Sequence, residues 1–170
     1  VGIMVTGKKV TPQCFFLAQD ELQRRKEEAR AEPNAPPYVS TNDIVTSGFG
    51  RAVNARMLTM AMDCRGRLDG IADRHAGNYH TGLLWGPDAY ATPGSIRSAL
   101  RGPPPLSHAD FPSGCCVTGN WTAMITNWSS VSGSGLTIPN CDRTLHLPYL
   151  RTKDMMEDSC VIFEAKPGRI

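Results

Sequence analysis

Apolar residues in the middle of this chain recur first at helical and then at alternating spacing. Ile44, Gly48, Ala52 and Ala55 return every three or four positions, which predicts a helix. Ser40 stands just before that run with Asp43 three residues on, a capping-box arrangement. Ser40 accepts from a first-turn amide and Asp43 sits at the positive end of the helix. Gly48 and Gly50 are poor helix formers, so their expected use is close packing against another element. From Leu58 the period shortens to two: Leu58, Met60, Met62 and Cys64 alternate with Thr59, Ala61, Asp63 and Arg65, predicting a strand with one apolar face. Tyr38 to Asn78 therefore reads as helix, turn, strand and then a polar loop over Asp69 to Ala76.

On either side the pattern is weaker. Val1 to Pro12 has no period and reads as a tail, and Cys14 to Leu17 is a short apolar run expected to be a strand. A charged helix follows, Glu21 to Ala31, beginning at Gln19 or Asp20. Only Leu22 and alanines are apolar within it, so it should lie on the surface, and Pro33 and Pro36-Pro37 end it. Asn78 to Trp85 reads as a second strand, and Ser95 to Leu100 as a short helix that Pro93 or Ser95 can start. Three consecutive prolines, Pro103 to Pro105, make Gly102 to Gly114 a loop. Cys116 to Trp128 is expected as a strand and residues 129–158 as an irregular segment, flexible over Ser129 to Gly135, with one helical turn at Met155 to Asp158. Cys160 to Ala165 is the last strand. Strands and helices in mixed order predict an α/β (α+β) fold, a mixed sheet with flanking helices, and residues 1–170 suit a single domain.

Composition changes this picture little. Hydrophobic and charged contents of 41% and 20% are ordinary for a globular chain. A net charge of +2, and a basic run at Arg24-Arg25-Lys26 offset by Glu27 and Glu28, give no nucleic-acid footprint. No apolar run approaches the roughly 18 residues of a membrane span. The chain starts at Val1 with no signal-peptide pattern, which implies processing or a longer product. Six cysteines, at 14, 64, 115, 116, 141 and 160, fit no zinc module. They read as reduced structural residues in an intracellular compartment, cytoplasm or organelle interior, with the vicinal pair Cys115-Cys116 as the one place for redox chemistry. The sequons at Asn120 and Asn127 fall inside a predicted strand and read as incidental.

The motifs themselves resemble a known family. Ser40-Thr41-Asn42-Asp43 opening a helix, Asp63-Cys64-Arg65-Gly66-Arg67 at a strand end and Gly77-Asn78 about ten residues later are similar to the S-T-x-D, D-x-R-x-R and G-N elements in the second half of the BAHD acyltransferases. The wider group is the chloramphenicol-acetyltransferase and condensation-domain superfamily. Leu22 and Lys26 match its L-x-x-x-K helix, and Thr126-Asn127-Trp128 looks like its Thr-x-Trp strand. The likeness runs from about Phe15 to Trp128. Pro139 to Arg143 stands where the family has D-F-G-W-G, and only Asp142 is a conceivable match.

The resemblance implies acyl transfer from a coenzyme A thioester to a hydroxyl or amine, with the His of an H-x-x-x-D motif as general base. That motif is absent here. Four residues after His75, His80, His108 and His146 stand Tyr79, Leu84, Pro112 and Leu150. By resemblance, Arg65, Asn78, Thr126 and Trp128 are acceptor-pocket candidates, Thr126 and Trp128 helping to hold the tetrahedral intermediate. Ser40, Asp43, Asp63, Arg67 and Gly77 are the structural part of the motif. Arg65 beside Asp63 is equally a strand-bracing ion pair, and His80, or His108 beside Asp110, is a weaker substitute base. No catalytic residue and no metal site is assigned. Three functions follow: a non-catalytic, acyltransferase-like half-domain serving as a structural or interaction subunit; a fragment of an active acyl-CoA-dependent acyltransferase; or an unrelated small α/β binding module. The first expects a protein partner over apolar surface such as Met57 to Met62, Leu83 to Trp85 or Met155-Met156.

Overall fold

The computed structural model describes residues 10–101, 122–129, 139–142, 144, 145, 147 and 157–165. Its elements are α1 (Gln19–Ala31), α2 (Thr41–Ala52), β1 (Met57–Asp63), β2 (His80–Trp85), α3 (Pro87–Tyr90), α4 (Pro93–Ala99), β3 (Thr122–Asn127) and β4 (Ser159–Ile162). The strands form one mixed sheet in the order β2-β1-β3-β4. β1 and β2 are antiparallel with Leu58 opposite Trp85, whereas β1–β3 and β3–β4 are parallel, Met60 beside Ile125 and Ile125 beside Cys160. The expected mixed α/β architecture is the one found.

Alternation decides which face is covered. Leu58, Met60 and Met62 of β1, Leu83 and Trp85 of β2, Ala123 and Ile125 of β3 and Ile162 of β4 form one core with Tyr90 of α3 and Ile96 of α4. Trp85, Leu58, Leu83, Ile96 and Ile125 are fully buried, each side chain contributing about 1.5–3 kcal/mol by leaving water. A second cluster joins Leu22 and Ala29 of α1 to Val39 and Ile44. Helix α1 is otherwise exposed, laced by ion pairs from Glu21 to Arg24 and Arg25. The hydrogen bond from Arg25 holds the Glu21 carboxyl below its ordinary range, helped by Arg24.

Several expectations are corrected. The segment from Cys14 to Leu17 is irregular, and Phe15 and Phe16 are 73% and 61% exposed. Among the described residues no strand pairs with it, and only Leu17 reaches an apolar cluster. Within Met57 to Met62 and Leu83 to Trp85 the chain's own helices bury Leu58, Met60, Met62, Leu83 and Trp85, while Met57, Ala61 and Leu84 on the alternate positions stay part-exposed or exposed. Helix α2 buries Asp43, Ile44, Thr46, Ser47 and Gly50, while Ala52 is exposed. Gly50 is packed as expected, but a side chain at Gly48 would meet nothing within 4 Å. Strand β2 starts at His80 rather than Asn78, β3 ends at Asn127 rather than Trp128, and β4 ends at Ile162 rather than Ala165. Residues 102–121, 130–138, 148–156 and 166–170, with Cys115, Cys116, His108 and Met155-Met156, lie outside the described residues.

Candidate functional site

Two side-chain clusters hold the residues of the S-T-x-D, D-x-R-x-R and G-N motifs. The first is at the start of α2. Ser40 accepts from the Asp43 amide at 3.3 Å, and Asp43 Oδ2 accepts from the Ser40 amide at 2.7 Å, completing the capping box. Asp43 does more than cap: it is wholly buried. Its Oδ2 also accepts from Arg97 Nε at 2.8 Å, and Arg97 Nη2 donates to Ser40 Oγ at 2.7 Å. Arg97 in turn lies 4.9 Å from the centre of the Tyr38 ring. Helix α4 thus clamps the capping box, and nothing in the S-T-x-D spacing identifies Arg97 as the clamp.

The second cluster closes the connection between β1 and β2. Arg65 Nη1 donates to both oxygens of Asp63 at 3.1 Å, Nε donates to the His75 carbonyl at 2.9 Å, and Nη2 donates to the Gly77 carbonyl. The Tyr79 ring lies under the guanidinium at 5.3 Å. His75 Nδ1 accepts the Ala72 amide at 2.9 Å. Gly77 has φ +129°, a backbone region in which a side chain is strained, which explains a glycine beside Asn78. Asn78 Oδ1 bonds His80 Nδ1 at 2.7 Å, and Arg67 Nη1 donates to the Leu100 carbonyl at 3.1 Å, tying the loop to the end of α4. The backbone amide of Arg65 donates to Asp63, and this bond, more than the guanidinium, holds the Asp63 carboxyl below its ordinary range. Asp63 therefore contributes to stability above the ordinary carboxylate range, and the contribution is lost as pH falls through its lowered value. In an NMR titration, Arg65→Ala is expected to move the Asp63 midpoint upward towards, but not fully to, the unperturbed value. An unmoved midpoint would show that the side-chain pair adds nothing.

Thr126 and Trp128 stand apart from both clusters, at the carboxyl end of β3. Thr126 lies beside Val161 and alternates with buried Ile125, so it faces away from the core. Trp128 follows the last strand residue and is 38% exposed. Its amide donates to the Ile162 carbonyl at 2.7 Å. Asn127 points the other way: its Nδ2 donates to Asn42 Oδ1 at 3.0 Å, and its Oδ1 accepts from the amide and hydroxyl of Ser129 at 2.9 and 2.7 Å. The sequon amide is thus engaged inside the fold. This contact joins the S-T-N-D helix to the T-N-W strand end through the two positions that the motif reading treats as variable. Carboxyl ends of parallel strands are where open α/β sheets commonly bind ligands.

Elsewhere, a cleft of about 280 Å³ runs between α1 and α2, lined by Arg24, Arg25, Glu28, Ile44 and Arg51 among others. Its Arg24 and Arg25 are spent on ion pairs with Glu21 and Glu28, and none of the motif residues lines it. Among the described residues no group of three or more His, Cys, Asp or Glu is placed to hold a metal ion. Nor is any described helix long and apolar enough to cross a membrane. Cys14, Cys64, Cys141 and Cys160 are free, and burial pushes the Cys160 thiol up to about 11.

No protein-family model matches this chain, and no curated protein matches it either. Among solved structures it is similar to F. sporotrichioides TRI101 complexed with coenzyme A and T-2, with 17% identity and a TM-score of 0.45 over 77% of this chain and 40% of that one. It is also similar to vinorine synthase (15% identity, TM-score 0.42, 68% of this chain and 32% of that one). F. graminearum TRI101 complexed with coenzyme A and T-2 mycotoxin gives 15% identity and a TM-score of 0.42, over 65% of this chain and 32% of that one. The chain thus spans less than half the length of each of these structures.

Proposed function

We propose that this chain is an acyltransferase-like half-domain without an H-x-x-x-D base, serving as a structural or interaction subunit. The observation that carries this reading is how Arg65 is used. Its guanidinium is committed to Asp63 and to the carbonyls of His75 and Gly77, over the Tyr79 ring. Such a group closes a loop and does not receive an acceptor carboxylate. His75 and His80 are likewise engaged through Nδ1, within the same connection. None of the four histidines begins an H-x-x-x-D motif. The protein partner that this reading calls for would meet the face of the sheet opposite the helices, where Thr59, Leu84, Met124 and Thr126 alternate with core residues.

Acetyl-coenzyme A turnover by the isolated chain tests the proposal. The expected rate equals that of the enzyme-free control, in the wild type and in Arg65→Ala alike. A rate above the control that disappears in Thr126→Ala would overturn it.

One observation favours a second reading, a fragment of an active acyl-CoA-dependent acyltransferase. Thr126 and Trp128 present a hydroxyl-bearing residue and a part-exposed indole at a strand end, groups suited to an acceptor pocket completed by a His-bearing chain and a coenzyme A thioester. Copurification with such a chain in fixed ratio, with turnover lost in Trp128→Ala, would favour it over the first.

A further inference from the structure

The end of β3 is built by two asparagines that no motif assigns. Asn127 Oδ1 takes both the amide and the hydroxyl of Ser129, closing an Asx turn around Trp128. The Trp128 amide, inside that turn, is held on the Ile162 carbonyl. Since Oδ1 of Asn127 accepts twice, its Nδ2 is the donor to Asn42 Oδ1. The Asn42 amide then points its own Nδ2 at Met60 Sδ, 3.8 Å away in the core strand β1. The orientation of both amides is therefore fixed from the core outwards, through α2, to the turn that carries Trp128.

We infer that Asn127, held by Asn42, is a positioning residue that sets the direction in which Thr126 and Trp128 leave the sheet. The inference deepens the second reading, in which Thr126 and Trp128 line an acceptor pocket at this strand end, and rests on it. Neither asparagine touches a ligand in this role. Each acts through the strand end that Asn127 closes. Asn42 lies in the first turn of α2, and the same helix start carries the Arg97 clamp. A disturbance at the capping box would therefore reach Trp128 through the Asn42–Asn127 pair.

The full chain labelled with 5-fluorotryptophan gives a direct readout, because it contains three tryptophans and Trp128→Phe identifies the resonance of interest. Asn42→Ala removes the support without altering the Asx turn, so it remains informative even if Asn127→Ala does not fold. It is expected to shift or broaden the Trp128 resonance while the resonance of buried Trp85 stays in place. Asn42→Asp keeps an acceptor oxygen for Asn127 Nδ2 and gives up the 3.8 Å contact to Met60 Sδ, and is expected to restore most of the wild-type Trp128 signal. A Trp128 signal unchanged in Asn42→Ala overturns the inference. So does a common movement of Trp85 and Trp128, which marks general loss of packing, and so does failure of Asn42→Asp to restore the signal. Failure of that reading would appear separately, as turnover with a His-bearing chain that Trp128→Ala leaves unchanged, and leaves this comparison intact.

Discussion

Replacing Arg97 with Met is expected to lower the unfolding free energy by about 3–5 kcal/mol, the usual cost of stranding one member of a buried ion pair. Asp43 is inaccessible to solvent. Its Oδ2 depends on Arg97 and the Ser40 amide, while its Oδ1 has no hydrogen-bond partner among the described residues. Without the guanidinium, the carboxylate keeps one amide and no counter-charge. The reverse change, Asp43→Asn, is expected to cost less, because the Arg97 side chain is 21% exposed and can turn towards water. The double variant Asp43→Asn/Arg97→Met should therefore recover part of the loss from Arg97→Met alone. Urea unfolding with an unchanged m-value is the measurement. A loss below about 1 kcal/mol for Arg97→Met, a surface-pair value, would show that water reaches Asp43.

Two glycines on one helix are expected to respond with opposite signs to the same substitution. A Cβ on Gly50 would stand 2.8 Å from Tyr90 Cδ2 and 3.1 Å from Leu58 Cδ2. Neither neighbour can retreat. Tyr90 is 3% exposed and donates its hydroxyl to the Ala55 carbonyl, and Leu58 is fully buried. Gly50→Ala gains about 1 kcal/mol of helix propensity but incurs an overpacking cost of about 1–3 kcal/mol. The overpacking term outweighs the gain, with a net loss of up to about 2 kcal/mol. At Gly48 the space is open, so Gly48→Ala should keep the propensity gain of about 1 kcal/mol. Thermal unfolding of the two variants decides the matter. A stable Gly50→Ala protein would mean that Tyr90 gives way.

The elements with their own local signal were readable from the chain. Period-two alternation marks Leu58, Met60 and Met62 without ambiguity, and Ser40 with Asp43 announces the start of α2. Arg65 beside Asp63 was readable as a brace, because opposite charges two residues apart at the end of the alternating run stand close enough to pair. What could not be read was tertiary choice. The run from Cys14 to Leu17 has strand composition, but composition does not supply a neighbouring strand. Gly48 and Gly50 look alike in sequence, and only the approach of Tyr90 separates them. Leu58, Met60, Met62, Leu83 and Trp85, expected on a partner surface, are core, because apolar residues signal burial without saying what buries them. Arg97, Asn42 and Asn127 were missed for a related reason. Each acts across a gap in sequence, from a position where a polar residue usually meets solvent.

The order of strands in the sheet has a kinetic consequence. β1 and β2 pair antiparallel and, with α2, α3 and α4, come from one continuous stretch of chain. Contacts within that stretch close short loops, which chain entropy opposes least. β3 and β4 add by parallel pairing between segments far apart in sequence, the type of contact that slows folding most. The sheet should therefore grow sideways from a helix-covered hairpin, with the strand that carries Thr126 and Trp128 arriving late. Until it arrives, the β1 edge that receives β3 is unpaired, and during synthesis that edge is the one most open to pairing with another chain.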